Sequence, residues 1–462
     1  MSVALTRRQM MVGLAGAAMA PRIAGATPTR PDIVVIGAGA AGIGAARRLM
    51  KAGRSVLVLE AADRIGGRAH TTLTPFGFPY DRGCAWLQGP SDLAHLALAR
   101  EKGFGLFDYN ASPEVLAIDG RRATTAERNA YWRAWATVER IVDRAVDTDV
   151  PVASLIPADL RFAAAVRAWL GPMDYGADLT DVSTADWHAY ADLEIDYLVR
   201  EGLGTLVAML GADLPVRLST PATHVDWSGA GVRVDTPDGQ IEADACIVTV
   251  STGVLGSGAI RFTPELPVTK QQAVSDVPMG LLERIGLQFD GERFGLPNNG
   301  ILTNLYEGEM PQPACNFITF PHGQDIAIGF VGGSFGWELS RAGAAAAIDF
   351  ATEAFVKAVG SDARKHLVAA DHSGWATNPL TQGAYAAARP GRFAARAVLA
   401  EPLGERVFFA GEAVSPDHFA LMSGAHMSGE AAADEVVAQL DAACSSCDAR
   451  KQDLQRRVGD SE

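Results

Sequence analysis

Cysteine is scarce, with 5 in 462 residues, and no Cys, His and Asp cluster has the spacing of a zinc site. The chain therefore shows neither a disulfide framework nor a structural metal centre. Cys84, Cys246 and Cys315 stand alone and read as small buried apolar residues. Cys444 and Cys447 fall in a polar stretch, 441–462, beyond the last amphipathic pattern. A local disulfide could close there in an oxidising compartment, but a catalytic redox pair would normally open a helix after a strand. Positive charge is also short: 40 Lys and Arg stand against 54 Asp and Glu, a net charge of -14. That excess argues against nucleic acid or anionic lipid as a partner. No apolar run is long enough to span a bilayer of about 30 Å, so no stable membrane insertion is expected. Internal repeats and low-complexity segments are missing too. What is present, 48% hydrophobic and 20% charged residues, is the balance of a globular enzyme, and the length predicts two to three domains.

The first residues do not read as part of the fold. Arg7-Arg8 precedes a short apolar stretch, Met10 to Ala20, and Ala24-Gly25-Ala26 supplies the small residues a signal peptidase needs. Residues 1–26 are thus expected to be a removable Tat-type signal, and the protein periplasmic or secreted. Tat export carries folded proteins, which suits an enzyme that acquires its cofactor first.

The most informative segment follows. Asp32-Ile33-Val34-Val35-Ile36 reads as a buried parallel strand, Gly37-Ala38-Gly39-Ala40-Ala41-Gly42 comes at once, and Ile43 to Ala52 reads as a helix. A second strand, Ser55 to Leu59, ends at Glu60. This is a dinucleotide-binding β-α-β unit. Gly37 permits the tight turn, Gly39 lets the backbone approach a pyrophosphate, and Gly42 allows close helix–strand packing. The helix N-terminus faces the phosphates with partial positive charge, and Glu60 can accept from ribose hydroxyls. The choice between NAD and FAD comes from Asp63-Arg64-Ile65-Gly66-Gly67-Arg68, where Gly67 and Arg68 can fold a second loop over the diphosphate. Far away, Val407-Phe408-Phe409-Ala410 reads as a short buried strand ending at Gly411-Glu412. Ser423-Gly424-Ala425-His426 then opens a helix to about Leu440.

With these motifs, Asp81-Arg82-Gly83-Cys84-Ala85-Trp86-Leu87-Gln88-Gly89-Pro90-Ser91 and the blocks 202–267 and 375–391, the chain resembles the flavin-containing amine oxidase family over about Asp32 to Leu440. The resemblance implies an α/β fold: an FAD-binding Rossmann-like domain of glutathione reductase type with an inserted α+β substrate-binding domain. The FAD domain would be discontinuous, 31–91 with 202–268 and 372–440, and the substrate domain would comprise 92–201 with 269–371. Helical apolar spacing over Arg122 to Ala168 and Ala344 to Val359, and strand-like runs over Gly300 to Gly333, agree with this.

The resemblance also implies roles. Gly37, Gly39, Ala41, Gly42, Glu60, Ala61, Gly67, Arg68, Trp86, Gly411, Glu412 and Met422 would lie against FAD, and Val225 would hold the adenine through its backbone. The helix after Glu412 would point its N-terminus at the flavin ring, where reduction places negative charge. Tyr385, near Trp375, would form one wall of an aromatic cage, with Leu421 opposite where monoamine oxidases carry a second tyrosine. Ala384 falls where monoamine oxidases attach flavin through cysteine, so noncovalent FAD is expected. Two departures stand out. Arg284 occupies the place of a family lysine associated with oxygen reactivity, and is expected either to weaken that reactivity or to recognise an acidic or carbonyl group on the substrate. Gln88 replaces the His or acid that faces a polyamine's distal amines, which makes polyamines less favoured unless a carboxylate elsewhere compensates.

The expected reaction is hydride transfer from an amine to flavin, giving an imine, then aldehyde or ketone, with O2 reduced to H2O2. A periplasmic amine dehydrogenase passing electrons to a cytochrome or another carrier, and a desaturase or isomerase on the same scaffold, remain alternatives. Gly332-Gly333-Ser334-Phe335-Gly336 mimics a hydrolase nucleophile elbow, with His372 downstream, but hydrolysis would leave the FAD motifs without purpose.

Overall fold

A computed structural model describes residues 30–191, 193–307 and 313–459, with side chains to residue 442. The expected signal segment, 1–26, lies outside the described residues.

The β-branched run near the start forms the strand Ile33–Ile36, buried along its whole length. It sits at the centre of a five-stranded parallel sheet in the order Val216–Arg217, Val56–Leu59, Ile33–Ile36, Ala245–Val248, Val407–Phe409. A central parallel strand is covered on both faces, which is why four apolar residues in a row suit it better than an alternating pattern. Three widely separated pieces of chain supply these strands. The helix Ala40–Lys51 crosses one face and packs on the C-terminal helix Met422–Gly459. Only glycine fits at that crossing: a Cβ on Gly429 would lie 2.0 Å from the Ala41 carbonyl oxygen. The C-terminal helix runs well past Leu440, so the stretch expected to be a polar tail continues the helix backbone through residues 444–447.

A second layer comes from the intervening segments. A seven-stranded sheet runs Leu367–His372, Leu282–Phe289, Ile326–Gly332, Asn316–Thr319, Gly300–Asn304, Glu114–Ile118, Arg121–Arg122. Its core is built where Phe289 and Phe317 of the sheet pack on Phe355 of the helix Ala344–Val359. A four-stranded sheet that includes His224–Asp226, a three-stranded sheet containing Trp86–Gly89 and a two-stranded sheet of Thr71–Thr72 with Tyr80–Asp81 complete the framework.

The stretch with helical apolar spacing, Arg122 to Ala168, holds two α-helices with a non-helical segment between them. The helix Thr125–Asp143, opened by a Thr124/Glu127 capping box, stops there. Ser183 Oγ donates to Asp149 at 2.5 Å and the Val150 N–H donates to Thr184 Oγ1 at 3.0 Å, fastening the chain to residues 183–184 instead. A short helix, Ala163–Ala168, leads into one π-type turn, Trp169–Met173, with Pro172 inside it. Among the described residues no helix is long and apolar enough to cross a membrane.

Candidate active site

One cavity of about 950 Å³ runs from the first βα turn, past the end of the C-terminal helix, to the seven-stranded sheet and the π-type turn. It brings together Gly37, Gly39, Ala41, Glu60, Ala61, Gly67, Arg68, Trp86, Gly411, Glu412 and Met422 of the expected cofactor residues. It also brings together all five expected substrate-side residues: Gln88, Arg284, Trp375, Tyr385 and Leu421.

Two expected residues are not on its wall. Gly42 stands behind it, where a Cβ would lie 1.9 Å from the Gly37 carbonyl oxygen; its role is close helix–strand packing, as its position in the motif implies. Val225 is a correction. It is fully buried in the strand His224–Asp226, between the strands Val232–Thr236 and Arg261–Thr263, so its backbone belongs to the sheet. The cavity wall lies earlier, at Pro221, Ala222 and Thr223.

At the cradle end, the helix Ala40–Lys51 begins with no side-chain cap and no acid in its first turn. Its first N–H groups have no intrahelical acceptor, so they and the dipole are available to a phosphate. Glu60 accepts from the Ala38 N–H at 2.7 Å and the Ala62 N–H at 2.8 Å, which fixes the carboxylate at the end of its strand. Burial pushes its carboxyl up, and those N–H groups oppose the shift. Arg68 is less free than expected: it donates to Glu412 at 2.8 Å and to the Ala384 carbonyl at 2.7 Å. Glu412 neutralises part of the charge intended for a diphosphate. A second guanidinium, Arg64, lines the same wall and donates to the Gly67 carbonyl at 2.8 Å. Glu412 also accepts from the Ala420 N–H at 3.0 Å, fixing the residues just before the C-terminal helix. An uncapped helix start, an acid at a strand end and a small-residue loop beside two arginines fit FAD.

At the other end, the Tyr385 hydroxyl donates to the Met173 carbonyl at 2.7 Å, which commits its polar tip and leaves the ring as wall. Trp375 Nε1 donates to the Arg82 carbonyl at 2.8 Å. The loop carrying Trp375 is held by Glu283, which accepts from the backbone N–H groups of Trp375 at 3.1 Å and Ala376 at 3.0 Å. Gln88 is registered opposite Asp196, whose carboxyl burial pushes up to about 6 while the Gln88 amide opposes the shift. Cys84, expected to be buried, is partly open and lines the cavity; burial nonetheless pushes its thiol up to about 12, so it is no nucleophile.

Sequence reading missed Asp174. It follows the π-type turn, its side chain is open to the cavity, and protein surrounds it. Burial pushes its carboxyl up to about 7. The only sequence cue was an acid among the aromatics Trp169, Tyr175 and Trp187, with no period to mark it. Ser334 of the hydrolase-like motif is exposed and off the cavity wall, and His372 lies 3.5 Å from Glu283, so no nucleophile–base pair forms there.

The family described as flavin containing amine oxidoreductase matches residues 40–190 and 159–437. The chain belongs to it. Among the curated relatives of this amine oxidoreductase, "Polyamine oxidase 4" of Oryza sativa subsp. japonica is 30% identical, covering 91% of each chain. "Lysine-specific histone demethylase 2" of Homo sapiens is 26% identical over 88% of this chain and 53% of its own. A solved structure of wild-type putrescine oxidase bound to putrescine superposes with a TM-score of 0.71 at 22% identity, covering 88% of this chain and 99% of that one. The amine oxidoreductase thus has the FAD-binding α/β fold, uses FAD, and acts on CH–NH or CH–NH2 groups. Ala384, on the cavity wall, offers no atom for a covalent bond to the cofactor.

Proposed function

We propose that the protein oxidises a small amine at the carbon beside its nitrogen, releasing an imine that water converts to aldehyde or ketone. The observation that carries this reading is the continuity of one cavity between the phosphate cradle and the Tyr385–Asp174 wall. FAD held there by the cradle residues would supply the hydride acceptor, with O2 as the final oxidant and H2O2 as its product. The chain's own residues bind and orient. The Tyr385 ring and Leu421 flank the substrate, and Trp375 closes the wall beside them. Asp174 docks the substrate's ammonium, and its carboxylate takes the proton that must leave nitrogen before the C–H bond is broken. An exported, periplasmic setting accords with the N-terminal twin arginine.

Anaerobic titration of the yellow holoenzyme with primary, secondary and polyamines tests the reading: at least one must bleach the flavin. If none does, the amine assignment falls.

A second reading is favoured by Arg284. A guanidinium where the resembling family carries lysine suits a dehydrogenase that passes electrons to a carrier instead of O2. Reoxidation of reduced enzyme in air, at a rate matching turnover with peroxide formed one for one, would exclude it.

A further inference from the structure

The charged groups on the cavity wall are almost all hydrogen-bonded within the protein, although only Arg68 and Glu412 neutralise each other. Arg68 pairs with Glu412, Arg64 meets the Gly67 carbonyl, Glu139 accepts from Trp135 and Asp143 from Trp187. Two are not. Arg284 is 4% exposed, and its Nε and Nη1 are enclosed without a well-formed hydrogen bond. The Tyr80 hydroxyl faces it and the buried Asp81 lies within its field, but no carboxylate among the described residues is in ion-pair contact with it. Its guanidinium rests 5.4 Å from the Trp86 ring centroid and 5.1 Å from that of Phe330. Those faces attract a cation but satisfy none of its five N–H donors. Asp174 is the other: its carboxylate is open to the same cavity and has no hydrogen-bonding partner among the described residues.

A guanidinium enclosed without a contacting anion is costly, and a ligand carboxylate would supply the missing partner. The wall thus carries one positive group and one negative group without a hydrogen-bond partner, the complement of a molecule with an ammonium and an anion. A polyamine, cationic along its length, would bring like charge to Arg284.

We propose that Arg284 is a specificity-determining residue that selects amines bearing a carboxylate, so that the substrate is an amino acid or another amino carboxylate, with Asp174 receiving its nitrogen end. This rests on the amine-oxidation reading above. The carboxylate undergoes no bond change; it is held by the guanidinium's charge and by whichever N–H reaches the cavity.

The test uses FAD-loaded enzyme and matched pairs: 4-aminobutyrate with n-butylamine, and phenylalanine with 2-phenylethylamine. The expected result is flavin reduction at least 10-fold more efficient for the carboxylate-bearing member of at least one pair. In Arg284→Met that ratio falls to near one, and Arg284→Lys recovers part of it. A second arm needs no turnover. Benzoate should perturb the flavin absorbance, with a dissociation constant raised at least 10-fold in Arg284→Met and less in Arg284→Lys. Wild-type preference for the plain amine in both pairs, or benzoate binding that ignores both substitutions, overturns the proposal. Equal loss for both members of each pair, with the flavin spectrum itself shifted, also overturns it, because Arg284 would then serve the cofactor. If no amine of either kind bleaches the flavin, the amine-oxidation reading fails while the benzoate arm still decides the role of Arg284.

Discussion

Arg68 Nη1 stands 2.8 Å from Glu412 Oε1, a contact that joins residues 344 apart in the chain. It ties the loop after the second strand to the turn that introduces the C-terminal helix, so the two sides of the cofactor cleft are cross-linked. Replacing Glu412 with Ala leaves Arg68 uncompensated and the Ala386 and Ala420 N–H groups without acceptors. The expected cost is about 3 kcal/mol of apoprotein stability, read from urea unfolding, together with loss of most bound FAD on gel filtration.

Gly42→Ala places a methyl against the Gly37 carbonyl, 1.9 Å away before relaxation. Overpacking of this kind costs about 1–3 kcal/mol, and here it displaces the turn that meets the phosphates. Flavin content after purification should drop at least tenfold. Retention of stoichiometric FAD with an unaltered melting temperature would contradict the assigned packing role.

Asp174 gives a pH signature. Its carboxyl is raised to about 7 in the folded protein, whereas an unfolded Asp titrates near 4. Between those values the native state holds a proton that the unfolded chain has released. Stability of the apoprotein therefore falls as pH rises from about 4 through 7, and changes no further above that. Asp174→Asn should flatten this slope, making the variant the more stable of the two at pH 8.5 but not at pH 4. Catalysis runs the other way: kcat/KM should rise with pH through about 7 in the wild type and lose that limb in the variant. Thermal melts and initial rates across pH 4–9 check both.

Asp186 and Arg396 form a two-point ion pair at 2.7 and 2.9 Å, with side chains 0% and 2% exposed. Arg396 also donates to the Ala386 and Ala413 carbonyls, so it braces the segments that carry Tyr385 and Glu412. Arg396→Met leaves a buried carboxylate alone and should cost about 4 kcal/mol. A drop of under 1 kcal/mol in chemical unfolding would show that the pair contributes little.

The cradle was legible because its signals are local. A β-branched strand, glycines at fixed spacing and a terminal acid lie within residues 32–68, where no distant contact is needed to read them. The substrate wall was legible only through the family resemblance, which placed Gln88, Arg284, Trp375, Tyr385 and Leu421 there. Asp174 was hidden because its exposure to the cavity depends on the π-type turn at Trp169–Met173, which leaves no apolar period. Val225 was misplaced onto the wall because a strand sequence does not say which residues lie at its open end. The break within Arg122 to Ala168 left no sequence signal for a similar reason: alanine propensity favours helix there, while the bonds from 149–150 to 183–184 are tertiary.

The strand Val407–Phe409 sits at the edge of the same five-stranded sheet that is centred on Ile33–Ile36, and the C-terminal helix covers the helix that begins at Ala40. The residues of the phosphate loop are therefore synthesised long before those of the opposite side of the cleft. A cleft with both walls exists only once translation has passed residue 422, which places cofactor loading into the complete site late in maturation.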